Sequence, residues 1–194
     1  MDTKKLTFVI MMGALGNVLF VISYLTGQIA PGVALDLSLL AVFIAGFFAG
    51  PKAGLATGLI AGIIPGIMFG PAGNGGILGL IGLPIGKGLT GLTSGLISNG
   101  LNLHQKMHKS LWASPLTLLS YVPEGVFTYS YFIALLPLFM QSAPLASTII
   151  NAIMIKAVVE VIVMSVIIAA LMGNKGFRDF IQNSFCKTRL TATN

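Results

Sequence analysis

Two charged side chains lie four residues apart in a strongly apolar stretch near the carboxyl end of the sequence. Lys156 and Glu160 share one face if residues 146–172 form a helix. Taking an ion out of water is costly unless an opposite charge or a hydrogen-bonding ligand compensates it. The two residues therefore form either a structural ion pair or part of a site for a polar small molecule.

Other polar residues fall at comparable depth in apolar stretches. Glu124 and Tyr129 lie in the fifth stretch, and Asn151 precedes Lys156 by about one turn. Asn74 lies in a glycine-rich loop between two stretches. Apolar walls with a few placed polar groups are typical of small-molecule sites. The candidate ligand-binding residues are Asn74, Glu124, Tyr129, Asn151, Lys156 and Glu160.

Two further charged residues have simpler explanations. Lys87 lies near the middle of the fourth apolar stretch, where it is a possible ion-pair partner for Glu124. Asp36 opens the second stretch, and an acidic residue suits the amino end of a helix. The charges of Lys87, Glu124, Lys156 and Glu160 sum to zero, so these four residues do not give the sign of a ligand.

Motifs for catalysis, nucleotide binding and metal binding are absent from the sequence. No phosphate-binding loop of the Gly-x-x-x-x-Gly-Lys-Ser/Thr type occurs. His104 and His108 are four residues apart but lack the glutamate of the zinc-protease motif. No Ser/His/Asp or Cys/His set falls at one depth. We therefore expect a protein that is not an enzyme and that holds no metal or cofactor, so any transport would draw its energy from a gradient or another subunit.

The composition predicts that these groups are embedded in a membrane. Hydrophobic residues make up 55% of the 194 residues and charged residues only 8%, whereas soluble domains carry about 25% charged residues. So few charges cannot cover the surface of a soluble globule, and disordered chains are polar. The single cysteine, Cys186, excludes a disulfide scaffold. In a membrane protein, the net charge of +6 does not indicate nucleic-acid binding.

Six apolar stretches approach the length of about 20 residues that a membrane helix needs. The second and third are short, and Gly50, Pro51 and Lys52 separate them. One helix over residues 35–69 would be too long for a single crossing. The predicted fold is therefore an all-α, polytopic membrane protein with a six-transmembrane-helix bundle in residues 1–172. The predicted spans are 6–25, 35–49, 53–69, 77–97, 115–139 and 146–172.

The distribution of basic residues predicts the orientation of the bundle, because cytoplasmic loops are enriched in Lys and Arg. The loops around 26–34, 70–76 and 140–145 contain neither. The opposite side holds Lys4, Lys5, Lys52, Lys106, Lys109, Lys175, Arg178, Lys187 and Arg189. Both termini are therefore expected in the cytoplasm. The basic tail, residues 173–194, is either a short helix on the inner membrane face, with Phe177, Phe180, Ile181 and Phe185 towards it, or a frayed end.

Glycine recurs every four residues from Gly46 to Gly70 without a break. Helices in lipid associate by close packing, which glycine permits. One interpretation is packing within the bundle. The other is an outer surface where a partner membrane protein docks, which would include Gly54, Gly58 and Gly62.

Together these features resemble the substrate-binding S component of energy-coupling factor (ECF) vitamin transporters. The resemblance covers nearly the whole chain in length and six-helix layout. The first helix has a basic start over Lys4–Leu15 that is similar to the family's. The best match is Leu35–Ser38 followed by Phe43–Gly54, which resembles a short second helix ending in Gly50-Pro51-Lys52-Ala53-Gly54.

The resemblance implies uptake of a small water-soluble vitamin or related micronutrient across a prokaryotic plasma membrane. It implies a transmembrane coupling subunit and two ATP-binding subunits as partners, and ligand selectivity from the later helices and outer loops. A stand-alone secondary transporter or channel, acting as a homo-oligomer packed on the glycine stripe, is the alternative.

The resemblance also implies that a small-residue face of the first three helices docks the coupling subunit. The family often has two alanines four residues apart in the first helix. The matching positions here are Ile10 and Ala14. The bulky Ile10 departs from the pattern, and Gly13 with Asn17 offers another pair at the same spacing.

Overall fold

The computed structural model describes residues 3–26, 28–30, 33–34, 36–72, 76–103, 109–139 and 143–186. Their helices are α1 Thr3–Thr26, α2 Ser38–Ala49, α3 Pro51–Ala61, α4 Ile63–Phe69, α5 Gly76–Gly100, α6 Lys109–Phe139, α7 Ala143–Gly173 and α8 Lys175–Ile181, with a π-helical turn at Gln182–Cys186. Between α1 and α2, strands β1 (Gln28–Ala30) and β2 (Val33–Ala34) pair antiparallel, with Gln28 opposite Ala34 and Ala30 opposite Val33. The all-helical prediction is confirmed, apart from this short hairpin in a segment predicted as a loop.

Four helical segments of the described chain are long and apolar enough to cross a membrane. They are Thr3–Thr26, Pro51–Phe69, Gly76–Gly100 and Met154–Gly173. The apolar α2 has only 12 residues, which makes it about 18 Å long, well short of a bilayer core of about 30 Å. The remaining long helix, α6, has 31 residues and contains the buried Glu124.

The short helix α2 occupies the centre of the bundle. Ten of its 12 residues are buried, and it packs on α1, α3, α5 and α7. Phe43 and Phe47 stack with ring centroids 6.2 Å apart, and they belong to the same core cluster as Val161 and Ile168 of α7. A helix that is apolar on all sides belongs in such a core. Because α2 is enclosed by other helices, its length need not match the bilayer.

The predicted break between the second and third spans is confirmed at Gly50. Its φ of +92° lies where side chains with a Cβ are strained. Pro51 follows as the first residue of α3, a position where its missing N–H leaves no helical hydrogen bond unmade. The chain therefore turns sharply here and starts a new helix.

The predicted third span is itself interrupted at Gly62, between α3 and α4. Pro65 has no N–H to donate back along the helix. Next to it, the Asn17 side chain of α1 bonds the two groups that a continuous helix would pair with each other: its amide donates to the Ile60 carbonyl (2.8 Å) and its oxygen accepts from the Ile64 N–H (3.0 Å). One polar side chain thus bridges the break and ties α1 to both halves.

The glycine stripe holds α3 against α5. A Cβ built at three of its glycines would overlap backbone atoms of α5. The overlapping pairs are Gly54 with Gly91, Gly58 with Lys87, and Gly62 with Pro84. These glycines therefore lie inside the bundle, as the internal-packing interpretation requires, and leave no room for a partner protein between the two helices.

The helix α8 and the π-helical turn pack across one end of the bundle. Phe177 contacts Phe48 of α2, and Phe185 contacts Phe8 of α1, with ring centroids 5.7 and 5.1 Å apart. Ile181 is buried in the same core. Three of the four apolar side chains predicted for a membrane-facing surface therefore pack on the protein instead.

The fourth, Phe180, is 60% exposed and lies at an end of the bundle that is rich in basic residues. The amino end of α1, the corner between α2 and α3, and α8 meet there through the contacts just described. Lys4, Lys52 and Lys175 are exposed at this end, and Arg178 is half-buried. The described basic residues outside the apolar stretches therefore collect at one end of the molecule.

Candidate functional site

Five charged side chains from four parts of the chain converge at the amino end of α2. They are Asp36 before α2, Lys87 on α5, Glu124 on α6, and Lys156 and Glu160 on α7. Four of the five are less than a tenth exposed, and Lys156 is the outermost. We call these five residues the charged cluster.

Asp36 and Lys87 form a buried salt bridge at the base of the charged cluster. The Ser38 hydroxyl donates to the Asp36 carboxylate (2.5 Å) and accepts from the Lys87 ammonium. The Ser38 N–H also donates to Asp36 (3.0 Å). Asp36 therefore accepts a hydrogen bond from the N–H of the first residue of α2, although Leu37 is the cap residue, and in addition it neutralises Lys87. The alternative partner for Lys87, Glu124, forms no salt bridge with it among the described residues.

Lys156 and Glu160 form an ion pair, with the ammonium 3.2 Å from the carboxylate. Glu160 also accepts a hydrogen bond from the Asp36 N–H, which links α7 to the amino end of α2. The Lys156 ammonium lies 5.5 Å from the ring centroid of Phe69 on α4, within cation–π range. The pair predicted from sequence therefore exists and is held from two sides.

Glu124 differs from the other two carboxylates because no lysine of the described residues forms a salt bridge with it. It is only 8% exposed, and the Thr90 hydroxyl donates to it. Gly86 makes room: a Cβ there would lie 3.3 Å from the Glu124 side chain. Lys87 is close enough to interact electrostatically, but its ammonium is bonded to Asp36.

Tyr121 completes this region. It lies three residues before Glu124 on α6, so the two side chains are neighbours on the helix surface. Tyr121, Ser38 and Thr90 are not among the residues proposed from sequence. The available signals are a serine two residues after Asp36, and a threonine one helical turn after Lys87.

Two candidates from the sequence lie outside the charged cluster, and a third, Asn74, lies outside the described residues. Tyr129 is 46% exposed, and Asn151 is exposed too. Each is five residues from a member of the charged cluster, Glu124 and Lys156 respectively, which turns it by about 140° around its helix. Both side chains therefore lie on a different helix face from the charged cluster.

The candidate docking residues fall into two groups. Ile10 (54% exposed) and Ala14 lie on the exposed face of α1. Gly54, Gly58 and Gly62 face α5, as described above. The other pair considered on α1 turns inward, because a Cβ at Gly13 would lie 2.6 Å from Ile60 and Asn17 bonds to the break between α3 and α4. Only Ile10 and Ala14 remain available to a partner.

No family model, curated protein or solved structure matches this chain. Among the described residues, no group of three or more His, Cys, Asp or Glu side chains is arranged to hold a metal ion. The charged cluster and its neighbours Ser38, Thr90 and Tyr121 instead bring ammonium, carboxylate, hydroxyl and phenol groups together within an apolar bundle. Such a mixture is suited to a polar organic molecule.

Proposed function

We propose that the chain is the membrane-embedded substrate-capture subunit, or S component, of an ECF-type transporter for a small water-soluble vitamin or related micronutrient. The observation that carries this proposal is the charged cluster at the amino end of α2. Buried ion pairs add little stability compared with apolar packing, and ionisable groups at membrane depth usually mark a substrate path. The chain thus buries the charged residues of this cluster at a cost in stability, although an apolar bundle would be stable without them.

In this proposal the membrane is crossed six times, by α1, α2, α3 with α4, α5, α6 and α7. The end that collects the basic residues faces the cytoplasm, as do both termini. Since α2 starts about 18 Å from that end and the apolar core is about 30 Å thick, the charged cluster lies in the outer half of the membrane. A ligand would reach it from outside the cell.

The exposed face of α1 with Ile10 and Ala14 is the proposed contact with the transmembrane coupling subunit. Two ATP-binding subunits supply the energy, since the sequence has no nucleotide-binding loop. The alternative, a stand-alone secondary transporter or channel that oligomerises on the glycine stripe, is weaker. That stripe is already used between α3 and α5, so an oligomer would need a different surface.

Assembly tests the proposal directly. The chain is co-expressed with a coupling subunit and its two ATP-binding subunits and purified through a tag on the coupling subunit. We expect the chain to co-purify, and Ala14→Trp to remove it from the complex because the larger ring blocks close approach. Leu15→Trp is the matched control, since Leu15 is also exposed but lies about 100° around α1. Co-purification of both variants at parental yield would reject this docking face.

A further inference from the structure

We infer that the ligand of the charged cluster carries a positive charge, as a protonated amine or a quaternary nitrogen. The inference rests on the proposed function and specifies its substrate class. It comes from the position of Asp36, which is buried beside Lys87, and from the bonds that each charged group already makes.

The charged cluster has more acids than bases. Lys87 and Lys156 face Asp36, Glu124 and Glu160, which leaves one negative charge when all five are ionised. The four residues considered from sequence alone were balanced. The burial of Asp36 beside Lys87 changes that result, because Lys87 can no longer neutralise Glu124. A buried, uncompensated charge is unfavourable, so a cationic ligand would be stabilised here.

Each positive group at this site is already bonded to an acid of the protein. Lys87 binds Asp36, and Lys156 binds Glu160. The backbone N–H groups of Asp36 and Ser38, at the amino end of α2, donate to Glu160 and Asp36. An anionic ligand would have to displace one of these carboxylates. A cation meets no such competition at Glu124.

The surroundings of Glu124 also suit an organic cation. Tyr121 precedes Glu124 by three residues on α6, so the two side chains are neighbours on the helix surface, and aromatic faces attract cations in desolvated sites. The protein already provides this environment once, where the Lys156 ammonium lies over Phe69. A carboxylate beside an aromatic ring would hold a ligand nitrogen in the same way at Glu124.

The test compares the purified full-length protein with its Glu124→Gln variant. Yeast extract filtered below about 1 kDa is the probe, separated by ion exchange at neutral pH into cationic, neutral and anionic fractions. Each fraction is titrated against the protein, and thermal unfolding is recorded because a bound ligand stabilises the folded state. We expect the cationic fraction to stabilise the parent protein.

In Glu124→Gln, we expect the half-maximal concentration of that fraction to rise at least about tenfold, which corresponds to roughly 1.4 kcal/mol. Val126→Ala is the control, since Val126 is on the same helix and 62% exposed; it should respond like the parent. Stabilisation of the parent protein by the anionic or neutral fraction would overturn the inference. An unchanged half-maximal concentration of the cationic fraction in Glu124→Gln would overturn it too.

The two proposals fail in different ways. If no fraction stabilises the parent protein, the capture function itself is rejected, and the charge inference with it. If the anionic fraction stabilises it, the capture function stands and only the inferred charge is wrong; Glu124→Gln should then bind more tightly, since a repulsive charge is gone. If Glu124→Gln does not fold, the fraction that stabilises the parent still decides the sign of the ligand charge.

Discussion

The seam between α3 and α5 and the charged cluster lie on the same stretch of α5, yet they are built in opposite ways. At the seam, backbones touch because Gly54, Gly58 and Gly91 have no side chains. One turn away, Lys87 reaches across to Asp36 with a long side chain. The seam depends on the absence of side chains, whereas the charged cluster depends on which side chains are present. We call the seam the frame of the bundle and the charged cluster its polar part.

Gly54→Leu should break the frame and have the largest effect on folding. Its side chain would overlap the Gly91 backbone, and two helices would have to separate. Overpacking of cores usually costs about 1–3 kcal/mol even where the neighbours can shift, and a clash with backbone that forces two helices apart should prevent stable folding altogether. We expect loss of a monodisperse elution profile in detergent. Ala56→Leu is the control on the half-exposed side of α3 and should elute normally; normal elution of both variants would contradict a rigid seam.

Lys87→Met should damage the charged cluster, by a smaller amount. Removing one partner of a buried ion pair costs about 3–5 kcal/mol, because the other charge stays buried. Thermal unfolding in detergent should therefore shift to lower temperature. The double variant Lys87→Met/Asp36→Asn removes both charges and should recover much of the loss. Lys52→Met, at an exposed lysine, should have little effect. Additive losses in the double variant would show that the two residues act independently.

Glu124→Gln should have the smallest effect on stability of the three variants. It tests whether a charged residue without a salt bridge contributes less to stability than the α3–α5 seam and the Asp36–Lys87 pair. The Thr90 hydroxyl can donate to the amide oxygen as it does to the carboxylate. Without a salt bridge to lose, we expect a change within about 1 kcal/mol, the scale of one hydrogen bond. Unfolding is measured without any extract present. A large destabilisation would mean that Glu124 is a structural anchor of α6.

The sequence was sufficient to predict features that depend on local composition. The turn at Gly50-Pro51 and the helical character of the described segments follow from apolar length and from helix-breaking residues. For Gly54 and Gly58 the sequence left two interpretations open, packing within the bundle and docking of a partner protein. The spacing of glycines alone does not say whether they contact a helix of the same chain or another protein. The break at Gly62 was missed, since Asn17, which compensates it, lies more than 40 residues away.

The candidate site was predicted in part. Lys156 and Glu160 are four residues apart, so their pairing is local and visible in sequence. Asp36 and Lys87 are 51 residues apart, so their salt bridge is not visible in local sequence. A position at the amino end of a helix already explained Asp36, and its pairing with Lys87 was therefore not predicted. Tyr129 and Asn151 were chosen by depth, but a helix also needs an assigned face. That face is set by tertiary packing, which a single sequence does not reveal.

The shortness of α2 has a consequence for how the protein is made. A helix of 12 residues cannot cross a bilayer core of about 30 Å alone, and its amino end carries the charge of Asp36. During synthesis, α2 would therefore enter the membrane together with α3, as one helical hairpin turned at Gly50. The Asp36 carboxylate at the amino end of α2 has no neutralising partner until α5 is inserted and Lys87 can pair with it. Completion of the charged cluster is thus a late step of biogenesis, and a chain truncated before α5 should be degraded.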